Sequence, residues 1–180
     1  AVLGVAEGPV LSARSASDGD ELWLLVNRSG RFYRHYAFWD AATAASPGLL
    51  RSHLSLLPAL AADGIVHAAK DISMGGLCGT AVMFAESCGS PITLELDAIE
   101  RPDQVDEQAW LRCFPSFGYL LAVRPSMTGR LQRMLQGDPH LICCRIGSFG
   151  SGPCGVALQR EGDQELLWDG SEGLTGFGCD

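Results

Sequence analysis

The sequence predicts an α+β fold, a mixed α/β sandwich in which helices pack on a sheet. Three observations support this class. Short apolar runs alternate with stretches of helical spacing along most of the 180 residues. A content of 47% hydrophobic and 19% charged residues is enough to bury one ordinary core. The sequence also carries no internal repeat and no coiled-coil heptad pattern.

The first half of the chain predicts a strand, a loop and a helix. Residues 1–20 are expected to be a linker or lead-in segment, because their second half is rich in serine, glycine and aspartate, and the domain is expected to span 21–180. The run ELWLLV at 21–26 predicts a buried strand, and the aromatic and arginine-rich segment 27–40 predicts a loop. A helix is predicted from Ser46-Pro47 to Gly64, with Pro58 inside it.

The second half predicts further strands and helices in alternation. The strands are identified by apolar runs or by period-two alternation, and the helices by three-to-four-residue spacing. Expected strands lie at 66–72, 92–96, 119–123 and 141–146, expected helices at 77–87, 105–114 and 125–136, and a hairpin at 156–168.

Composition excludes several classes of function. The net charge of −8 and a pI near 4.9 argue against broad contact with nucleic acid or an anionic membrane. The seven cysteines are odd in number, form no C-x-x-C pair and have no ligand-like spacing to the histidines. They therefore predict neither a disulfide framework nor a metal site, and they favour a cytoplasmic protein. No apolar run approaches the roughly 20 residues that span a bilayer.

The candidate site is the stretch KDISMGGLCG at residues 70–79. It is predicted to run from a strand end through a glycine turn into a helix. The first N–H groups of such a helix have no partner within it and lie at the positive end of its dipole, so they can bind an anion. Gly75 and Gly76 would let a phosphate or carboxylate approach the main chain closely. Close packing of the helix on the strand explains the two glycines equally well.

Three side chains in this stretch are candidates. Lys70 is the only lysine beside twelve arginines, and its compact ammonium group predicts a substrate ligand. Asp71 lies at a strand end, where α/β sheets usually present functional groups, and is the candidate catalytic residue. Ser73 is a candidate substrate ligand. The alternatives are a solvated strand end for Lys70, a turn carboxylate for Asp71 and a helix cap for Ser73.

A second group of cations lies in the predicted loop. Arg28 and Arg31, together with Arg34 and His35, could clamp a phosphate by paired hydrogen bonds, or could form a salt-bridged surface loop. Arg28 and Arg31 are taken as candidate substrate ligands.

Three other histidines are assigned structural or surface roles. His67 lies on an apolar strand and is expected to be a satisfied core residue, whereas His53 and His140 are expected at the surface.

Three segments together carry a family resemblance. AAKDISMGGLCGTAVMFAESCG, CFPSFGYLLAV and CRIGSF resemble the C-terminal domain of the aminoimidazole ribonucleotide (AIR) synthetase superfamily, the PurM-like C-terminal domain. The family pattern of Asp, aliphatic, Ser, polar, Gly-Gly-Leu is matched except at Met74, which replaces the polar residue. The resemblance covers about residues 21–149, and segment 27–40 looks like an AIR-synthase-related subgroup of undefined activity.

The resemblance implies a partly ferredoxin-like topology and ATP-dependent, ligase-like chemistry that proceeds through a phosphorylated acceptor. ATP and magnesium would be held mainly by an N-terminal domain of the same or another chain. This chain would be the substrate-side C-terminal domain, binding a phosphate- or carboxylate-bearing small molecule, and without that partner domain it would be inactive and bind no cofactor. The alternative is a non-catalytic ligand-binding or homodimerisation module with the same fold.

Overall fold

A computed structural model describes residues 3–6 and 8–176. In this part of the chain ten strands and five α-helices are present. The strands are β1 Glu21–Asn27, β2 Arg31–Phe32, β3 Phe38–Asp40, β4 Ala68–Asp71, β5 Ile92–Glu95, β6 Phe114–Pro115, β7 Gly118–Val123, β8 Leu141–Phe149, β9 Val156–Arg160 and β10 Asp163–Trp168. The helices are α1 Pro47–Leu54, α2 Leu56–Ala62, α3 Gly76–Cys88, α4 Glu107–Arg112 and α5 Thr128–Leu135.

The strands form one large mixed sheet and one small sheet. The large sheet has seven strands in the order β10-β9-β5-β8-β1-β7-β4, and all its pairings are antiparallel except β5 with β9. The small sheet has the order β2-β3-β6. This mixed architecture confirms the predicted α+β class.

Helices cover both faces of the large sheet around its interior strand β1. Leu22 and Leu24 point to the face on which α3 packs, whereas Trp23 and Leu25 point to the face covered by α2 and α5. Successive side chains of a strand point to opposite faces, so a central strand between two helical layers is apolar at every position. Each fully buried leucine contributes about 1.5–3 kcal/mol to folding.

The segment 27–40, predicted to be a loop, contains two short strands. β2 and β3 pair with each other, with Arg31 opposite Asp40, and β3 pairs in parallel with β6. Trp39 anchors this small sheet, because its ring nitrogen donates to the carbonyl of Asn27 at 2.9 Å. The partner strand β6 lies far along the chain, which is why the local sequence does not predict it.

The helix predicted from Ser46 to Gly64 is divided in two at Ser55. A continuous helix would place the ring of Pro58 against the carbonyl of residue 54, and the imino nitrogen could not donate to it. In the structure Pro58 lies in the first turn of α2, where no such hydrogen bond is needed. Ser46 caps α1 as predicted, because its hydroxyl accepts from the amide of Leu49 at 3.2 Å.

The remaining predicted elements are present with shifted ends. β4 and α4 are shorter than predicted, and α4 begins after Asp106, whose carboxylate accepts from the amide of Ala109 at 2.9 Å. The predicted C-terminal hairpin is confirmed as β9 and β10, joined by Glu161 and Gly162, which both have positive φ. None of the described helices is long and apolar enough to cross a membrane.

The residues just before β1 contribute to the core. A 3₁₀ helix, Ala13–Ser15, lies against α3 and β4, and Ala16 is buried. The carboxylate of Asp20 is also buried, and it forms a hydrogen bond of 2.9 Å with the ring nitrogen Nε2 of His67. The division of the chain at residue 21 stays a prediction.

Several candidate residues lie at one edge of the large sheet, the edge formed by the ends of its strands. β1 and β4 both run antiparallel to β7, and they are therefore parallel to each other. Their carboxyl ends, at Asn27 and Asp71, lie at the same edge as the start of β7 at Gly118.

Candidate functional site

Lys70, Asp71 and Ser73 form one hydrogen-bonded cluster. The ammonium group of Lys70 donates to Asp71 Oδ1 at 2.5 Å and to Ser73 Oγ at 3.1 Å. The Ser73 hydroxyl in turn donates to Asp71 Oδ2 at 3.1 Å. The structure thus brings together the three side chains that the sequence singled out, and their mutual contacts hold the Lys70 ammonium group, paired with the Asp71 carboxylate, at the end of β4.

The carboxyl group of Asp71 is ionised more readily than an ordinary aspartate. Partial burial acts to raise its pKa, but the hydrogen bond and charge of Lys70 and the hydrogen bond of Ser73 outweigh it and lower the pKa. The side chain is 66% exposed, so the ion pair with Lys70 is screened by solvent. Asp71 is therefore an accessible carboxylate at neutral pH.

Tyr119 adds a phenol beside this carboxylate. It is the register partner of Asp71 in the β4–β7 pair. Burial raises the pKa of Tyr119, and the negative charge of Asp71 raises it further. The protonated phenol is a potential hydrogen-bond donor beside the site. The sequence did not point to it, because only the register between two distant strands places it there.

The turn that follows the cluster is fixed by a buried threonine. The amide of Ser73 donates to the hydroxyl of Thr80 at 3.0 Å, and the amide of Gly76 donates to the Ser73 carbonyl at 2.9 Å. Thr80 is fully buried among the small side chains of α3. The only signal in the sequence that could have identified it is a polar residue inside the small and apolar run at 76–85.

Helix α3 begins without a side-chain cap. Its N-cap residue is Gly75, which has no side chain to accept from the first amides. Those N–H groups lie at the positive end of a helix of 13 residues, directly after the Lys70 cluster. The ammonium group and the helix start together can stabilise a phosphate or carboxylate.

The two glycines differ in their environments. Gly75 is exposed, as a main-chain anion ligand would have to be. Gly76 is buried with φ +66°, and a Cβ built on it would lie 2.5 Å from the carbonyl oxygen of Leu111. Gly76 thus serves close packing, which was the alternative to a role in anion binding. The packing is of α3 against the end of α4 rather than against a strand.

The two candidate arginines lie outside the Lys70 cluster. Arg28 follows β1 at the same sheet edge, and its amide donates to the carbonyl of His140 at 2.8 Å. Arg31 lies opposite Asp40 in the small sheet. Within residues 3–6 and 8–176, neither guanidinium group forms an ion pair with Asp71. Their role as substrate ligands stays a prediction.

His53 is buried, and the prediction of a surface position was wrong. Its side chain is 2% exposed and lies between the amide nitrogen of Asn27 at 3.3 Å and the carboxylate of Asp138 at 3.0 Å. Helix α1 ends at Leu54, which is itself exposed, and its buried face therefore includes His53 rather than Leu54. His140 is partly buried, and its ring contacts the Ser29 hydroxyl at 2.8 Å.

No metal centre is evident in the described part of the chain. The six cysteines placed there are free thiols, and no group of three or more His, Cys, Asp or Glu side chains is arranged to hold an ion. Cys179 lies outside the described residues.

Comparison with known families decides the affiliation. Residues 17–157 match the family described as AIR synthase related protein, C-terminal domain. The chain belongs to this family. The match confirms the resemblance recognised in the sequence, including the stretch at 70–79.

Relatives of this AIR synthase-related domain include two uncharacterised proteins. One, from Synechocystis sp., is 37% identical over 179 residues, which are 98% of this chain and 55% of the relative. The other, from Methanocaldococcus jannaschii, is 27% identical over 125 residues, 68% of this chain and 39% of the relative. The chain thus spans about half or less of these longer proteins.

Solved structures share the fold at low identity. PurL of T. maritima, in its complex with ATP, superposes on this chain with a TM-score of 0.69 at 13% sequence identity. The superposed region is 88% of this chain and 26% of the PurL chain. HypE of E. coli, a hydrogenase maturation protein, gives 0.63 at 20% identity and covers 89% of this chain and 52% of that one. These likenesses show the fold of the AIR synthase-related domain.

Proposed function

We propose that the chain is the C-terminal, substrate-side domain, residues 21–180, of an ATP-dependent, AIR-synthetase-like enzyme. In this proposal the turn from Lys70 to Gly76 receives a phosphate or carboxylate group of a small-molecule substrate. The observation that carries it is the Lys70 ammonium group, held by Asp71 and Ser73 next to the uncapped start of α3. A cation and a helix start without a side-chain cap, close together in the chain, are complementary to a small anion.

Each residue of the turn has a distinct part in this proposal. Lys70 supplies the positive charge, and its contacts with Asp71 and Ser73 fix the ammonium group before a ligand arrives, which lowers the entropy cost of binding. The exposed oxygens of Asp71 face solvent, where they could hold or accept a proton of the substrate. Gly75 permits close approach of the ligand to the helix amides. Arg28, at the same sheet edge, and Arg31 are proposed as further ligands.

ATP and magnesium enter the proposal through a partner domain. The PurL structure with ATP and the complex of HypE with HypF support a role for nucleotide and for further domains or chains in this family. Because the chain spans 55% of its Synechocystis relative, we propose that an ATP-binding domain, in the same or another chain, completes the cleft. We also propose a cytoplasmic location, which the free thiols support.

Phosphate binding by the 180-residue chain tests the turn directly. Titration with inorganic phosphate, followed through the backbone amide resonances of residues 73–78, is expected to give saturable shifts. Lys70→Met should weaken binding by about tenfold, because it removes one charge-assisted contact. Arg124→Met is the matched control, since this exposed arginine follows β7 at the opposite edge of the sheet. Equal affinities of the two variants would refute the assignment of Lys70.

The catalytic role of Asp71 requires the longer protein. Full-length protein is expected to hydrolyse ATP when it is given its substrate, and Asp71→Ala should abolish this activity. Turnover that survives the substitution would remove Asp71 from the reaction. Crystals soaked in sulfate give an independent check, because a turn that stays empty at high sulfate concentration would contradict the anion site.

A non-catalytic binding or dimerisation module is the second candidate. Met74 favours it, because this side chain is 80% exposed at the centre of the turn, where the family pattern has a polar residue. Sedimentation of the chain distinguishes the candidates: a stable dimer that is dissociated by Met74→Ser would support the second one.

A further inference from the structure

A cleft separate from the Lys70 turn lies between the β2–β3 hairpin and helix α4. Its volume is about 470 Å³. Six side chains with polar groups supply its chemistry: Arg34, His35, Tyr36, Asp106, Gln108 and Arg112. None of these residues belongs to the site proposed above.

The cleft is positively charged in a chain whose net charge is −8. Two arginines, Arg34 and Arg112, are among its lining residues, against a single acidic residue, Asp106. That carboxylate already accepts the amide of Ala109 at 2.9 Å as the cap of α4. Arg112 donates to the side chain of Gln108 at 2.8 Å, which aligns its guanidinium group along the helix. Two arginines, against one carboxylate that already accepts a main-chain hydrogen bond, favour an anionic ligand.

The backbone of the hairpin presents Arg34 in an unfavourable conformation. Its φ is +56°, in the left-handed region that side chains other than glycine rarely adopt. The turn is closed by hydrogen bonds from the amide of Tyr33 to the Phe38 carbonyl and from the amide of Tyr36 to the Tyr33 carbonyl. The Arg34 guanidinium lies 5.2 Å from the centre of the Tyr33 ring. Such strain persists where the surrounding structure imposes it, often at ligand sites.

Flat rings lie beside these charges. The imidazole of His35 stacks on the ring of Tyr36 at 4.6 Å between centres, and Tyr36 is 54% exposed. An exposed stack next to two guanidinium groups offers a planar apolar surface and an anion site within one cleft. Guanidinium groups themselves also stack on aromatic rings.

We propose that this cleft binds a phosphate ester of a flat aromatic or heteroaromatic group. Arg34 and Arg112 bind the phosphate, and the ring of the ligand lies against the His35–Tyr36 stack. The site is distinct from the anion site of Lys70, so either site can exist without the other.

The probe is phenyl phosphate, with inorganic phosphate as the reference ligand. Both are titrated into the 180-residue chain, and the backbone amide resonances of residues 34–36 and 108–112 are followed. Phenyl phosphate is expected to shift these resonances saturably and to bind about tenfold more tightly than inorganic phosphate, because it adds ring stacking to the ionic contacts. Absence of shifts at these residues, or equal affinity for the two ligands, would overturn the proposal.

Variants separate the two anion sites. Arg34→Ala and Arg112→Ala should each raise the Kd for phenyl phosphate about tenfold, whereas Arg124→Ala should leave it unchanged. Arg34→Gly guards against a folding defect, because glycine accepts the positive φ and the variant should retain or increase its Tm while it loses binding. Full affinity in Arg34→Gly or Arg112→Ala would refute the role of the guanidinium groups. Loss of binding in Lys70→Met would show that the ligand occupies the turn instead.

Discussion

Replacement of Gly76 by alanine is expected to destabilise the chain strongly, although it adds only one methyl group. The Cβ would lie 2.5 Å from the Leu111 carbonyl oxygen and 2.7 Å from Arg112 Cα. Both neighbours are main-chain atoms, which cannot move aside as the end of a flexible side chain could. Either α3 or α4 would have to shift, and the shift would disturb the turn that holds Lys70.

Two contributions set the size of this effect. A residue with a Cβ at φ +66° costs about 1–2 kcal/mol relative to glycine. Overpacking of a close contact typically costs about 1–3 kcal/mol more. The sum, about 2–5 kcal/mol, is a large fraction of the roughly 5–15 kcal/mol that stabilise an ordinary domain.

Gly79→Ala provides a matched comparison three residues along the same helix. A Cβ at Gly79 would meet no heavy atom within 4 Å, and its φ is not positive. Alanine at such a helical position should stabilise the chain by about 0.5–1 kcal/mol. Urea unfolding monitored by circular dichroism gives both free energies. A Gly76→Ala variant within about 0.5 kcal/mol of the parent chain would refute the packing argument, since surface substitutions usually fall within that range.

Three further predictions concern buried polar groups. Glu86 accepts the amides of Leu174 and Thr175, so Glu86→Gln should increase hydrogen exchange at 173–176. Burial acts to raise the pKa of Glu86, but its hydrogen bonds with Thr175 and Leu174 lower it overall. The ionised carboxylate therefore stabilises the fold fully above pH 4.5, and this contribution is lost as the pH falls through the lower pKa of the folded state. The difference in stability between the parent chain and Glu86→Gln should vanish in acid. His53→Ala should cost about 2–4 kcal/mol in urea unfolding and His140→Ala less, because His53 alone is fully buried; equal costs would contradict the hydrogen-bond network. Burial raises the pKa of Cys113 to about 11, and its side chain is 3% exposed, so in a mass-spectrometric assay this thiol should react with an aromatic disulfide reagent only after unfolding.

Much of the fold follows from local patterns in the sequence. The apolar run of β1 and the glycine turn before α3 each produce their element through neighbouring residues, and both were predicted close to their observed bounds. The cluster of Lys70, Asp71 and Ser73 was also within reach, because three residues so near one another at a strand end must lie close in space.

Contacts between distant segments account for the rest. The small sheet depends on Phe114 and Pro115, which pair with β3 although α3 and α4 separate them from it along the sequence. Tyr119 approaches Asp71 only through the register of β4 on β7. The burial of His53 depends on the break at Ser55, which changes the face of the helix that is buried, and the sequence predicted no break there. Local periodicity contains none of this information.

The outermost strand, β10, has consequences for how the molecule behaves at high concentration. Among the described strands its only neighbour is β9, and Leu166 and Leu167 are exposed. A free strand edge with apolar side chains is a template on which another copy can add a strand. Asp163 and Glu165, on the same strand, place negative charge at this edge and repel a second acidic chain. The carboxylates of this strand therefore oppose the addition of a strand from another copy, and they leave β10 as the outer strand of the sheet despite its exposed leucines.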